Sequence, residues 1–212
     1  MAITQKKYAA GIRLWHWTNM LIIGGSLLTV LLNSTLLDKH SNTDFIQQQL
    51  QSSGATLSAT QAKGLANAFE DRVWDIHIYF GYFLAALLLY RFILEFFQPA
   101  DQKFTNKLKL AYAYYFSSPD DEKKITRHNF LVKLAYTFFY VLLTIIVITG
   151  LSLSFGDNLR LASSISHNIK SVHGFCMYLM LAFILVHIAG VFLAERKDSK
   201  GIVSDMINGG NQ

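Results

Sequence analysis

Four long apolar segments, separated by polar loops, dominate the pattern of hydrophobic and polar positions along the chain. They extend over residues 14–32, 73–97, 130–155 and 172–194. Each is close to the length of about 20 apolar residues that crosses a bilayer as a helix, and few charged residues interrupt them. The pattern therefore predicts an all-α membrane protein, in which a bundle of four transmembrane helices forms one domain over residues 1–212.

Two of the connecting loops are long enough to contain helices of their own. The loop over residues 33–72 has two stretches in which apolar residues recur among polar ones. The second stretch begins with a capping box, Ser58-x-x-Gln61. We expect two short amphipathic helices there, which either cover the outer face of the bundle or dock a partner. The loop over residues 98–129 has an aromatic run, AYAYYF, among lysines, which predicts a helix at the level of the lipid headgroups.

Composition adds few constraints to this picture. The chain of 212 residues is 52% hydrophobic and 16% charged, which is typical of a membrane protein. Its single cysteine, Cys176, excludes a disulfide framework and covalent c-type haem, and we interpret it as a packing residue. The first apolar segment is too long for a cleaved signal peptide. Nothing in the sequence predicts binding to nucleic acid.

The basic residues of the loops predict the orientation of the helices. The segment before the first helix has three Lys or Arg and no acid, and the loop over residues 98–129 has six Lys or Arg. The loops over residues 33–72 and 156–171 have only three and two. Because Lys and Arg are enriched on the cytoplasmic side, both termini are predicted to be cytoplasmic.

The apolar segments contain four histidines at matched depths. His173 and His187 are fourteen residues apart in the fourth segment, so on one helix they face within roughly 40° of each other and about 21 Å apart. With the predicted orientation, His16 lies near the inner surface and His77 near the outer surface. Depth therefore pairs His77 with His173 and His16 with His187.

Two pairs of intramembrane imidazoles predict two b-type haems. A single histidine inside a membrane is more often an interhelical hydrogen-bonding residue, but zinc and copper usually need additional ligands, whereas haem iron takes two axial imidazoles. Iron with two axial histidines has no open position for a substrate. The expected chemistry is therefore electron transfer along the membrane normal, and we predict no catalytic residue.

Other residues near the helix ends have two interpretations each. Arg13 and Arg91 could pair with propionates of the inner haem, or they could extend to the membrane surface. Trp15, Trp17 and Trp74 are predicted to form aromatic belts at the interfaces.

Five motifs give the chain a resemblance to a known family. They are R-L-W-H-W at 13–17, W-D-I-H-x-x-x-G at 74–81, H-N-x-x-x-K-L-A-Y at 128–136, T-G at 149–150 and H-G-x₁₂-H at 173–187. With them the chain resembles the four-helix di-haem cytochrome b subunits of nickel–iron hydrogenases and formate dehydrogenases. The resemblance implies a multi-pass protein of the bacterial inner membrane, with the same histidine pairs as ligands of two haem b groups.

The resemblance also implies a quinone site near the inner haem, at the start of the third transmembrane helix. Carried over by motif, it involves Asn129, with His128, Lys133 and Arg91 as neighbours. The alternative for His128 and Asn129 is helix capping at the membrane edge. Family members act with an outer-side catalytic subunit that has iron–sulfur clusters. The loop over residues 33–72 is longer than is typical, which leaves the partner open.

Three functions compete at this stage. The first is an electron-transfer subunit, not an enzyme by itself, that connects an outer-side, hydrogenase-like redox enzyme to the quinone pool of the respiratory chain. The second is a stand-alone membrane oxidoreductase resembling the superoxide:quinone type, for which the slightly acidic outer loop is a poor fit. The third is a haem-free channel or carrier, but the third and fourth segments have no proline and no acid to suggest one.

Overall fold

The computed structural model describes residues 8–56, 58–98, 103–196 and 201–210. Regular secondary structure within these residues is helical throughout, and the helices are numbered in chain order. They extend over Ala10–Ser34 (α1), Lys39–Ser52 (α2), Ala59–Phe97 (α3), Phe104–Ser117 (α4), Lys123–Ser154 (α5), Ser163–Arg196 (α6) and Ile202–Asn208 (α7). Two of the basic residues that predict the orientation, Lys6 and Lys7, lie outside the described part of the chain.

Four of these helices are long and apolar enough to cross a membrane. They are α1, α3, α5 and α6, with 25, 39, 32 and 34 residues. At a rise of about 1.5 Å per residue, even the shortest exceeds the hydrocarbon core of about 30 Å. The prediction of an all-α membrane protein with four transmembrane helices is therefore confirmed.

The loop over residues 33–72 contains one separate helix where we expected two. The first is α2, but the second expected helix forms the opening turns of α3. The predicted capping box is present, since Ser58 N donates to Gln61 Oε1 over 3.0 Å and Gln61 N donates to Ser58 Oγ over 3.3 Å. The helix then continues into the membrane segment because no proline interrupts it before Phe97.

Helix α2 begins with a side-chain cap. The carboxylate of Asp38 accepts hydrogen bonds from the backbone N–H groups of His40 and Ser41, each with a donor–acceptor distance of 3.1 Å. These donors have no partner within the helix, so the carboxylate satisfies them. The Ser41 N–H is the largest cause that holds the pKa of Asp38 below its usual value.

We expect this cap to depend on pH. A carboxyl group whose pKa is lowered by folding stabilises the folded state when it is ionised, and that contribution is lost as the pH falls through the lowered pKa. At neutral pH, Asp38→Ala should therefore speed amide hydrogen exchange in Lys39–Ser52, whereas below the lowered pKa of Asp38 wild type and variant should exchange alike. Asp44→Ala, inside the same helix, is the matched control. Equal exchange in wild type and Asp38→Ala at neutral pH would contradict the cap.

The described residues divide into two compact units, with the boundaries inside α1 and α3. The first unit comprises the described residues up to 16 and from 86 onward. In it, α5 packs against α6, and α4 packs against α5. Its core includes Leu142 and Leu143 of α5 and Cys176 and Met180 of α6. The position of Cys176 agrees with its interpretation as a packing residue.

Trp15 belongs to this core and not to an aromatic belt, so the prediction for this residue is wrong. Its indole is buried, and Nε1 donates to the carbonyl oxygen of Leu87 over 2.9 Å. Its ring also contacts Phe139 edge-on and Tyr140 at a tilt. A tryptophan with a satisfied N–H can be buried, and this one connects α1 to α3 and α5.

The chain ends of the first unit meet each other. Tyr8 N donates to the carbonyl oxygen of Gly209 over 3.1 Å, and the Arg13 guanidinium donates to the carbonyl oxygen of Ile207. The start of α1 therefore lies beside the end of α7.

The second unit comprises residues 17–85. Within it, α1 and α3 approach closely at Gly25, where an added Cβ would lie 2.6 Å from the ring of Phe80. Small residues allow such close contact between helices in membranes. This contact lies one turn of α3 from His77.

Candidate functional site

His16 and His187 lie together in the first unit. Their ring centroids are 6.3 Å apart with an angle of 62° between the planes. Phe183, one turn before His187 on α6, stacks on the His187 ring with an interplanar angle of 7°. The two imidazoles predicted to share the inner haem are therefore close neighbours, and one of them is held by an aromatic ring.

This separation fits a metal between two axial imidazoles. A metal–nitrogen bond of about 2.0–2.1 Å, with about 1.1 Å from each nitrogen to its ring centroid, puts two such centroids about 6.3 Å apart. In the described part of the chain, no group of three or more His, Cys, Asp or Glu side chains could hold a metal ion. The pair therefore suits a metal that brings its other ligands with it, as haem iron does.

Arg13, one turn before His16, offers an unsatisfied donor at the same place. Its Nε atom is buried without a hydrogen-bond partner among the described residues. A buried N–H that has no partner is costly unless a bound group accepts it. A carboxylate such as a haem propionate is an acceptor of the right charge.

Arg91 is engaged within the protein. It is buried, its Nε donates to the Tyr140 hydroxyl over 2.9 Å, and its Nη1 lies 3.2 Å from Glu95 Oε2. The other oxygen of Glu95 accepts the backbone N–H of Thr105, over 3.0 Å. Arg91 thereby joins α3, α4 and α5, and it is not the surface-reaching arginine that the sequence also allowed. Its pairing with a propionate stays a prediction.

His77, predicted to bind the outer haem, lies in the second unit on α3, and its side chain contacts α1. Its Nδ1 is 2.9 Å from Thr29 Oγ1 and 3.3 Å from both the hydroxyl and the carbonyl oxygen of Ser26. The Trp74 ring meets the His77 ring edge-on, with 5.4 Å between centroids. These contacts fix the plane of the imidazole.

His173, the other predicted outer ligand, lies in the first unit on the same continuous helix as His187. Its Nδ1 is 2.9 Å from Thr149 Oγ1 on α5. A Cβ added at Gly150 would lie 3.2 Å from His173 Cε1, so the ring lies directly against the α5 backbone. Both residues of the T-G motif thus contact this histidine.

The predicted quinone residues are only partly brought together. Asn129 and Lys133, one turn apart on α5, line a groove of about 430 Å³ between α4 and α5. The other lining residues are Lys107, Leu110, Ala111, Tyr114, Thr126 and Val132. His128 is exposed and is not among the lining residues, and Arg91 is engaged elsewhere.

Sequence reasoning missed the hydroxyl groups beside the outer histidines. The sequence gives Thr149 no role beyond its place in the T-G motif, and it gives Thr29 and Ser26 none. Each contacts a histidine on another helix, and a hydroxyl within an apolar segment has no spacing that reveals such a partner. Glu95 could have been found, because it lies four residues after Arg91 on one helix.

Four transmembrane helices, with histidines that are held by neighbouring side chains, are the features expected of a membrane cytochrome of the b type. Residues 7–209 match the family model described as prokaryotic cytochrome b561, and the chain belongs to this family. The match confirms the resemblance to the cytochrome b subunits of nickel–iron hydrogenases. It also establishes b-type haem, electron transport and a multi-pass location in the bacterial inner membrane. Comparisons with curated proteins and with solved structures gave no match.

Proposed function

We propose that the chain is a di-haem electron-transfer subunit, which passes electrons between an outer-side redox enzyme and quinone. His16 and His187 would hold the inner haem, with Arg13 at a propionate, and His77 and His173 the outer haem. The 6.3 Å between the His16 and His187 rings is the observation that carries the proposal. When bound, the haems supply one-electron transfer, because two axial imidazoles leave iron no position for a substrate.

The basic residues of the loops support the orientation that we propose. Both termini would be cytoplasmic, so that α2 and the opening turns of α3 face the outer side. Phe45, Leu65 and Phe69 of these segments are exposed. Apolar side chains that are exposed on an otherwise polar segment suit a protein partner, here an iron–sulfur redox subunit. Its copurification would favour the subunit over a stand-alone oxidoreductase.

The groove between α4 and α5 would bind the quinone headgroup. Lys133 and Asn129 can donate hydrogen bonds to the two types of oxygen that a quinone presents, carbonyl and developing hydroxyl. Reduction of quinone to quinol consumes two electrons and two protons. Lys107 and Lys133, which both line the groove, make it attractive to the negative charge that develops before the protons arrive.

The test is the rate at which a water-soluble quinone reoxidises the chemically reduced protein. The rate is measured from the haem absorbance in a stopped-flow instrument. Lys133→Gln combined with Asn129→Leu should slow reoxidation by about tenfold or more, as expected for loss of a hydrogen bond from a charged donor. Haem content should stay unchanged, because neither residue is a predicted ligand. Lys124→Gln, in the first turn of α5, is the matched control.

Two outcomes would count against this assignment. Unchanged reoxidation in the double variant would place quinone reduction away from the groove. Failure of quinone to reoxidise the wild-type protein would contradict the quinone-linked function itself.

A further inference from the structure

The two histidines assigned to the outer haem share a feature that the proposed function does not use. In each, Nδ1 lies 2.9 Å from a threonine hydroxyl on another helix, Thr149 for His173 and Thr29 for His77. The two contacts occur in different units and are independent of each other. A neutral imidazole has one N–H and one lone pair, and the partner at one nitrogen decides which nitrogen has the proton.

The Thr149 hydroxyl has a hydrogen-bond acceptor within its own helix. Thr149 Oγ1 donates to the carbonyl oxygen of Ile145 over 2.7 Å, one turn earlier on α5. A hydroxyl has a single proton, so toward His173 the oxygen can only accept. We therefore assign the proton of His173 to Nδ1 and its lone pair to Nε2.

His77 Nδ1 faces two acceptors, the Thr29 hydroxyl and the Ser26 carbonyl oxygen. Thr29 Oγ1 donates to the carbonyl oxygen of Ser26 over 2.6 Å, so it too accepts from His77. That carbonyl also lies 3.3 Å from His77 Nδ1, and a carbonyl oxygen cannot donate. Thr29 is buried, which keeps water from competing for the bond.

We propose that Thr149 and Thr29 are positioning residues that set both outer histidines as the Nδ1–H form and present Nε2 to the outer haem iron. This proposal rests on the proposed function. A ligand imidazole whose other N–H is held by an acceptor is fixed in orientation and is a stronger base toward the metal. A stronger ligand favours ferric over ferrous iron, so the two threonines lower the reduction potential of the outer haem.

The test compares Thr149→Val and Thr149→Ser in the purified full-length protein. Valine keeps the branched shape but removes the hydroxyl, whereas serine keeps the acceptor. Thr149→Val should raise the midpoint potential of the outer haem, shift its ferric EPR signal and weaken outer-haem binding about 10- to 100-fold. Thr149→Ser should keep all three properties as in wild type. Thr29→Val, which removes the hydroxyl beside His77, should cause the same three changes as Thr149→Val.

Thr144→Val is the matched control. Thr144 is also a partly buried residue of α5, and its hydroxyl bonds to the carbonyl oxygen of Tyr140 over 2.7 Å within its own helix. Thr144→Val should leave both haems as in wild type. The potential of the inner haem should not change in any of the variants. Retention of the inner haem shows that a variant is folded.

The proposal is overturned if Thr149→Val and Thr29→Val both leave the outer-haem potential and EPR signal as in Thr144→Val. Failure of the proposed function appears separately: if neither His77→Ala nor His173→Ala loses a haem, no outer site exists for the threonines to position.

Discussion

Replacement of His187 by alanine should halve the haem content of the purified protein. The remaining haem should be the outer one, because His187 is paired with His16 at 6.3 Å and lies fourteen residues from His173 on the same helix. An iron that loses one axial imidazole from a site inside the membrane keeps too few protein bonds to hold its haem through purification. A pyridine haemochrome assay per mole of chain measures the change.

Two further variants make this result specific. His173→Ala should also halve the haem content, but it should remove the other spectral component. His128→Ala changes an exposed histidine at the start of α5 and should leave both haems in place. Two haems in His187→Ala would remove the basis for the inner pair.

Arg91→Met should destabilise the first unit by about 2–3 kcal/mol. Removal of one partner of a buried ion pair typically costs about 3–5 kcal/mol, and the effect is reduced here because the Glu95 side chain is 21% exposed. The variant also leaves the Tyr140 hydroxyl without its donor. Cys176, the single cysteine of the chain, is buried, so its reaction with a fluorogenic thiol reagent on heating reports unfolding. The melting temperature should fall by several degrees.

Glu95→Gln in the Arg91→Met background is the control for this prediction. It removes the uncompensated carboxylate but keeps an oxygen for the Thr105 N–H, so stability should partly recover. If Arg91 also binds a propionate, the double variant will recover stability but still lose haem. Stability that does not recover would show that the ion pair is not the reason for the effect of Arg91.

The sequence was sufficient for the four transmembrane helices, because a run of about 20 apolar residues has few other stable structures. It also correctly placed His173 and His187 on one helix. It did not reveal that the segment after Ser58 continues into the membrane, since a capping box marks where a helix begins and not where it ends.

The contacts between helices were harder to predict. Lipid-facing and protein-facing positions of a transmembrane helix are both apolar, so the pattern does not tell which side of α1 is buried. For this reason Trp15 was assigned to an interface, although it lies in the core. Thr29 and Thr149 were missed for the same reason, because their partners are on other helices. Asn129 and Lys133 share a groove because they are four residues apart on one helix.

The most direct test of the account is a reduced-minus-oxidised visible spectrum of the detergent-purified protein, with haem counted per chain. The wild-type protein should have two b-type haems per chain, and His77→Ala should have one. A folded protein with no haem, or with a single haem that survives in both His77→Ala and His187→Ala, would contradict the assignment of the four histidines.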